Sequence, residues 1–219
     1  MLDKILDVFN YIFWFFILNL FFMLFNIPII MFFMTLGISK LFDYFPLFIL
    51  CLLPTMPTFT ALLYCMNKLR INKGLSLIKD FKNGIKLNFM QALSIWFGFL
   101  LLFLMLHTNM RFFASKGYGL VLVIFSISIA IVLFATIPYV FMLISRFKMS
   151  NLEIIKTSLI LCFTKPSLTI TNLLLLTVSL IIFEISPGTT MLFISSILAF
   201  LLTLVNKKLF SELENLSKE

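Results

Sequence analysis

Apolar residues fill six stretches of the chain, and polar or charged residues separate these stretches. A helix needs about 20 consecutive apolar residues to cross the hydrocarbon core of a bilayer. The pattern predicts spans over Tyr11–Met34, Leu47–Met66, Phe89–His107, Leu120–Ser145, Leu168–Ile185 and Met191–Val205. The last two are short, and a turn at Ser186-Pro187-Gly188 separates them. We therefore predict an all-α fold, a polytopic transmembrane helical bundle of six spans in one domain.

The connection between spans two and three has a helical pattern of its own. In Gly74–Asn88, apolar residues recur at Leu75, Ile78, Phe81 and Ile85. The other positions carry the charged residues Lys79, Asp80, Lys82 and Lys86. This pattern predicts a basic amphipathic helix that lies at the membrane interface.

The connection between spans four and five predicts a second interfacial helix over Ser150–Phe163. Ser150 and Glu153 have the spacing of a capping box, in which each side chain accepts a hydrogen bond from the other residue's backbone N–H. An apolar stripe follows at Ile154, Ile155, Leu159 and Cys162 or Phe163. One interpretation is that both helices pack on the bundle or rest among lipid headgroups. The alternative is that one of them docks a cytoplasmic partner. The residues available for that contact are Lys79, Asp80, Lys82, Lys86, Glu153 and Lys156.

The cations are divided unequally between the two sets of connections. Of the 17 Lys and Arg residues, 14 fall at the two termini and in the connections that follow spans two and four. The other connections carry only Lys40, Arg111 and Lys116. Cytoplasmic loops of membrane proteins are enriched in Lys and Arg. The division therefore predicts that both termini are cytoplasmic, which agrees with an even number of spans.

Composition supports the membrane class. The chain is 62% hydrophobic and 12% charged, whereas soluble domains are about 45–50% apolar and about 25% charged. This balance excludes a soluble globule, a disordered chain and a disulfide scaffold. We assign the net charge of +8 to loop cations that face anionic lipid, not to nucleic acid. We interpret Cys51, Cys65 and Cys162 as small buried apolar residues.

The N-terminus does not have the features of a cleaved signal peptide. Met1–Asp7 carries both charge signs, and the apolar run after it is long, with no small-residue cleavage site. We expect this run to be retained as the first transmembrane helix.

Two parts of the chain, 56–107 and 137–185, have the same order of features. Each begins at a proline, Pro57 or Pro138, and continues through an apolar run, a basic turn, an amphipathic stretch and a second span. The shared order suggests a weak parallel repeat, although few residues are identical.

Neutral polar residues inside the first two spans form a candidate mid-membrane site. Asn19 and Asn26 are seven residues apart and therefore lie on one face of a helix. Pro28 follows them, and span two contains a further group at Pro54, Pro57 and Thr58.

Pro138 interrupts span four in a similar way, preceded by Thr136. Interrupted helices at matching positions of two repeats indicate a transporter site. The alternative is that these amides and hydroxyls join helices and that the prolines set bends for packing.

Signals of enzymatic chemistry are missing. No charged residue lies in the middle of a predicted span, which argues against proton pumping and voltage gating. The single histidine has no carboxylates at ligand spacing, and no hydrolase, dinucleotide or P-loop motif occurs. We predict no enzyme, no metal site and no cofactor.

Three segments resemble the YesL family of bacterial integral membrane proteins. They are Asn19–Pro28, Leu53–Tyr64 and Lys79–Ala92, of which the last ends in Asn-Phe-Met-Gln-Ala. The resemblance is strongest over residues 19–92, and the chain differs from many members by extra apolar residues between Ile29 and Leu53.

The resemblance implies a bacterial plasma-membrane protein that is accessory to carbohydrate uptake, with permease subunits of a sugar ABC transporter as partners. Our first hypothesis is therefore a non-enzymatic accessory protein. The alternative is a small-solute permease that uses Asn19, Asn26 and the proline-containing segments. A membrane enzyme is a distant third, and the sequence does not indicate the oligomeric state.

Overall fold

The computed structural model describes residues 2–114, 119–186, 188 and 191–216. These residues form ten α-helices: α1 Leu2–Phe25, α2 Ile27–Thr35, α3 Phe45–Cys51, α4 Thr55–Asn72, α5 Leu77–Ala114, α6 Leu120–Arg146, α7 Asn151–Thr164, α8 Pro166–Ile185, α9 Ile194–Val205 and α10 Lys207–Leu216. A short 3-10 turn at Ile38–Lys40 lies between α2 and α3. The predicted all-helical class is thus confirmed for the described part of the chain.

In the part of the chain that the structure describes, four to six segments are long and apolar enough to cross a membrane. Four are long and apolar enough by themselves: Phe45–Asn72, Leu77–Ala114, Leu120–Arg146 and Pro166–Ile185. Two more arise if each bent pair of helices is one span, α1 with α2 at 75° and α9 with α10 at 53°. These long apolar helices indicate a membrane-embedded protein, and the described residues reach the predicted count of six only if both bent pairs are single spans.

Two predicted spans contain breaks. The first bends at Asn26, between α1 and α2. The second is divided between α3 and α4, and Pro54 is the N-cap of α4. Pro57 falls in the first turn of α4, where the missing N–H interrupts no helical hydrogen bond.

The predicted separation of an interfacial helix over Gly74–Asn88 from a span over Phe89–His107 is wrong. The structure has one helix of 38 residues, α5, across both segments. No proline lies between Leu77 and Ala114, and each residue added to an existing helix gains one backbone hydrogen bond. The helix therefore continues through the predicted boundary.

Helix α7 forms where the second interfacial helix was predicted. Its Ser150 cap is present: the Ser150 hydroxyl accepts from the Glu153 amide, and Glu153 accepts from the Ser150 amide at 2.8 Å. Lys165 leaves the helical conformation because Pro166 follows it, and α8 begins at Pro166. The buried face differs in part from the prediction, since Ile154 and Cys162 are buried whereas Leu159 and Phe163 are exposed.

Helix α4 and the second half of α6 form the core. Residues 57–63 of α4 and 135–145 of α6 are buried without interruption. A helix that is buried on all sides occupies the centre of a bundle. Around α4 pack α1, α5, α6 and α9.

Helices α4 and α5 approach each other closely at Gly84. A Cβ atom at Gly84 would lie 3.1 Å from the Ala61 Cα atom and 3.3 Å from its Cβ atom. Small residues at a crossing let two helix backbones come near, as in many membrane proteins.

Candidate functional site

Asn19 has a structural role that its position in the sequence did not reveal. Its side chain is fully buried and donates to the Met191 carbonyl at 2.6 Å. The Asn19 Oδ1 atom accepts from the backbone amides of Ser195 and Ser196, at 3.1 and 3.3 Å. These amides belong to the first turn of α9, which has no side-chain cap of its own. Asn19 thus caps a distant helix.

Asn26 and Thr58 join the bend of the first predicted span to the start of α4. The Asn26 amide donates to the Thr58 hydroxyl at 2.9 Å and to the Phe22 carbonyl at 2.8 Å. Thr58 in turn donates to the Pro54 carbonyl at 2.7 Å. The Asn26 Oδ1 atom is buried without a hydrogen-bond partner among the described residues.

The prolines of the candidate site are dispersed. Pro28 lies in the first turn of α2 and is exposed. Pro57 is buried in α4, and α6 continues through Pro138 without a break. The structure therefore brings Asn26, Thr58 and Pro54 together, and it places Asn19 at another helix.

The gap between α3 and α4 has a partner that sequence reasoning missed. The indole of Trp96, on α5, donates to the Leu52 carbonyl at 2.8 Å. The Thr55 hydroxyl donates to the same carbonyl. The Leu52 carbonyl at this helix break thus has two side-chain donors in addition to the Thr55 backbone amide at 3.1 Å. Such donors satisfy a polar group that water does not reach.

The residues of the predicted docking surface do not all face outward. Lys79, Lys82 and Lys86 are exposed on α5, and Lys156 and Glu153 are exposed on α7. Asp80 is only 2% exposed. It pairs with Lys68 at 2.5 Å and accepts from the Ser76 amide at 2.9 Å, so it caps the start of α5. The expectation that Asp80 lies on the outer polar face is wrong, because α4 supplies a cation beside it.

Four buried polar residues form a cluster between α6, α8 and the junction of α9 with α10. We call it the polar cluster, and it consists of Tyr139, Thr169, Asn172 and Asn206. The Tyr139 hydroxyl lies 3.0 Å from the Thr169 hydroxyl. The amides of Asn172 and Asn206 bond each other in both directions, at 3.3 and 2.8 Å. The polar spacing alone does not reveal this cluster, since its members come from three separate segments.

A second feature that the sequence did not indicate is a cavity of 360 Å³ beside the ends of α4 and α6. We call it the basic cavity, and its lining includes Tyr64, Asn67, Lys68, Asn72, Arg146 and Glu214. Arg146 donates from Nε to the Glu214 carboxylate at 2.6 Å. Another cavity, of 250 Å³, is lined by apolar residues of α1 and α9 and by Phe193.

The described residues contain no group of three or more His, Cys, Asp or Glu side chains that could hold a metal ion. His107 stacks on the ring of Phe45, with 4.1 Å between centroids.

Comparison with known proteins gives one finding. Residues 15–110 match the family described as a protein of unknown function, DUF624. The matched part contains the Asn26–Thr58 pair and the Lys68–Asp80 pair, and it includes the segments that resemble the YesL family. No curated protein and no protein of solved structure matches the chain.

Proposed function

We propose that the protein is a non-enzymatic component of the bacterial plasma membrane that assists a carbohydrate uptake system of the ABC type. The link to carbohydrate rests on the resemblance to the YesL family. In this proposal the chain acts by contact with permease subunits, and both of its termini are cytoplasmic.

The observation that carries the proposal is the length of α5. Its 38 residues span ~57 Å at 1.5 Å per residue, whereas a bilayer with its headgroups is about 40–45 Å thick. At least one end of α5 therefore projects from the membrane. The N-terminal end is hydrophilic and presents the exposed side chains of Lys79, Lys82 and Lys86.

The projecting end is held in place by α4. Two features hold the two helices together: the Lys68–Asp80 ion pair and the close approach at Gly84. Asp80 also caps the start of α5 by accepting from the Ser76 amide. A rigid basic hairpin of this kind suits an acidic surface on a partner, because preorganisation lowers the entropy lost on binding.

The permease alternative has less support. It requires Asn19 and Asn26 to present free polar groups to a solute. Asn19 uses both ends of its amide within the chain, as a donor to Met191 and an acceptor at α9.

Co-purification in mild detergent tests the docking surface. We expect permease subunits of a sugar ABC system to co-purify with the wild-type chain and to be lost from the Lys79→Glu/Lys82→Glu variant. The Lys207→Glu/Lys208→Glu variant is the matched control, since these lysines are also exposed but lie on α10. A wild-type chain that purifies without any permease subunit would contradict the proposal.

Cysteine labelling in whole cells tests the orientation separately. In a background without Cys51, Cys65 and Cys162, a cysteine at Lys73 should react only after the membrane is permeabilised. A cysteine at Lys40 should react from outside. Equal labelling of both positions from one side would refute the proposed topology.

A further inference from the structure

The basic cavity has no role in the proposed function, and its position and volume suit a small ligand. It lies where α4 and α6 end, and α10 closes it with Glu214. Its volume of 360 Å³ is within the range of small-molecule sites, about 300–1,000 Å³. The cavity therefore has room for more than a bare ion.

Arg146 is the most enclosed cation of this cavity. Its side chain is 10% exposed and its guanidinium lies 5.4 Å from the centroid of the Phe210 ring. A guanidinium has five N–H donors in a planar fork. Among the described residues only its Nε is hydrogen bonded, to Glu214.

A second arginine lies within electrostatic range of the first. Arg70 donates from Nη2 to Asn67 at 2.9 Å, and Asn67 lines the cavity. The Arg70 Nε atom is buried without a partner in the described part of the chain. The charges of Arg70, Arg146 and Glu214 interact with one another. Glu214 is hydrogen bonded to Arg146, and the buried Arg70 Nε has no partner among the described residues, so a donor is left unsatisfied at this place.

The charges that the described residues place around the cavity do not cancel. Lys68, which also lines it, is paired with Asp80 at 2.5 Å. Among the described residues, two carboxylates, Asp80 and Glu214, lie near three cations: Lys68 is paired with Asp80, Arg146 with Glu214, and Arg70 interacts with the charges of both Arg146 and Glu214. An excess positive charge in a half-enclosed site attracts an anion.

We propose that the basic cavity binds a phosphate-bearing anion and that Glu214 is the internal competitor which this anion displaces from Arg146. Phosphate offers several acceptor oxygens in the geometry that a guanidinium fork recognises. The remaining volume admits the organic group attached to the phosphate. The source of the phosphate is either a lipid headgroup or a soluble monoester. The proposal is independent of any link to carbohydrate uptake.

Binding to the full-length protein in nanodiscs distinguishes the two sources. In discs of phosphatidylcholine alone, glycerol 3-phosphate is titrated by calorimetry. In discs that contain phosphatidylglycerol, lipid retained on the protein is counted by native mass spectrometry. Saturable binding of the first kind indicates a soluble ligand, and selective retention of phosphatidylglycerol alone indicates a lipid. Absence of both would overturn the proposal.

Matched variants locate the site. Arg146→Gln should abolish binding, whereas Arg111→Gln, an exposed arginine near Asp43, should leave it unchanged. Glu214→Gln should raise affinity about ten-fold, because a charge a few ångströms from the anion is removed. Glu212→Gln makes the same charge change on the same helix at a residue paired with Lys165, and it should have no effect.

The Glu214→Gln result is decisive even if the Arg146 variant does not fold, since a gain of affinity requires a folded protein. If Glu212→Gln raises affinity as much as Glu214→Gln, binding reflects overall charge and the cavity is not the site. Binding that is the same in wild type and in Glu214→Gln would also refute the displacement.

Discussion

The chain joins long helices twice through basic, amphipathic segments, and the two connections fold differently. Between α4 and α5 the amphipathic segment is the first part of α5 itself, so that a hairpin forms with a turn at residues 73–76. Between α6 and α8 the segment is a separate helix, α7. Both segments have helical periodicity, but only the second is followed by a proline, Pro166. Periodicity indicates that a helix forms, and the proline decides where it ends.

The two regions are also held together by different interactions. The hairpin has an ion pair, Lys68–Asp80, and a close backbone contact at Gly84. The region of α6, α8 and α9 has the neutral polar cluster instead. In the proposed topology the hairpin leaves the membrane, and an ion pair suits such a segment because the Lys68 side chain is partly exposed. The second suits a buried site, because neutral amides need no counterion.

The largest effect is expected when a proline is introduced into α5, because the absence of a proline is what distinguishes the first connection from the second. Asn88→Pro places a proline inside α5, where it removes a hydrogen bond and clashes with the preceding turn, and we expect a loss of about 3 kcal/mol in the free energy of unfolding. Asn88→Ala is the control for loss of the side chain. Pro166→Ala should change stability by less than about 1 kcal/mol, because Pro166 is at the first position of α8. Unfolding in mixed micelles measures all three, and a stable Asn88→Pro protein would mean that α5 need not be continuous.

The second largest effect on stability is expected where α4 and α5 approach each other closely. Gly84→Leu introduces a side chain against Ala61, and overpacking of this kind costs about 1–3 kcal/mol. Gly98→Leu lies on the same helix, with nothing within 4 Å of its added Cβ, and should be nearly neutral. The thermal unfolding midpoint of each variant in detergent checks this, and equal shifts would show that the contact at Gly84 is not tight.

The polar cluster predicts a non-additive pair of substitutions. Asn206→Leu leaves the amide of Asn172 without its partner and should cost about 1–3 kcal/mol. The double variant Asn172→Leu/Asn206→Leu should lose less stability than the sum of the two single losses, since no unpaired amide remains. A double-mutant cycle measures the coupling, and strictly additive effects would contradict the mutual hydrogen bonds.

The smallest effect on stability is expected at the N-terminal cap of α7. Ser150→Ala removes the hydroxyl that accepts from the Glu153 amide and should cost about 1 kcal/mol. Hydrogen bonds from the backbone and side chain of Ser150 lower the pKa of Glu153 below its ordinary value of 4.5.

The sign of the resulting pH effect follows from linkage. A lowered pKa means that the cap stabilises the protein above pH 4.5 and that this stabilisation is lost as the pH falls through the lowered pKa. Glu153→Gln should remove that part of the pH dependence while keeping the helix. Circular dichroism as a function of pH checks it, and a wild-type curve that matches the Gln variant would show that the carboxylate does not act as a cap.

The sequence by itself determined the helical membrane class, because the length of apolar runs and the scarcity of charge are local properties that a bilayer selects directly. It also indicated the break at Pro54 and the cap at Ser150, which depend on the chemistry of a few neighbouring residues.

Only the tertiary structure decided which polar groups meet. Asn19 caps a helix that begins 175 positions later at Ile194, Asp80 is buried because α4 brings Lys68 beside it, and Arg146 meets Glu214 across the basic cavity. Such pairings depend on how helices pack in three dimensions, and periodicity within one helix carries no information about its partner.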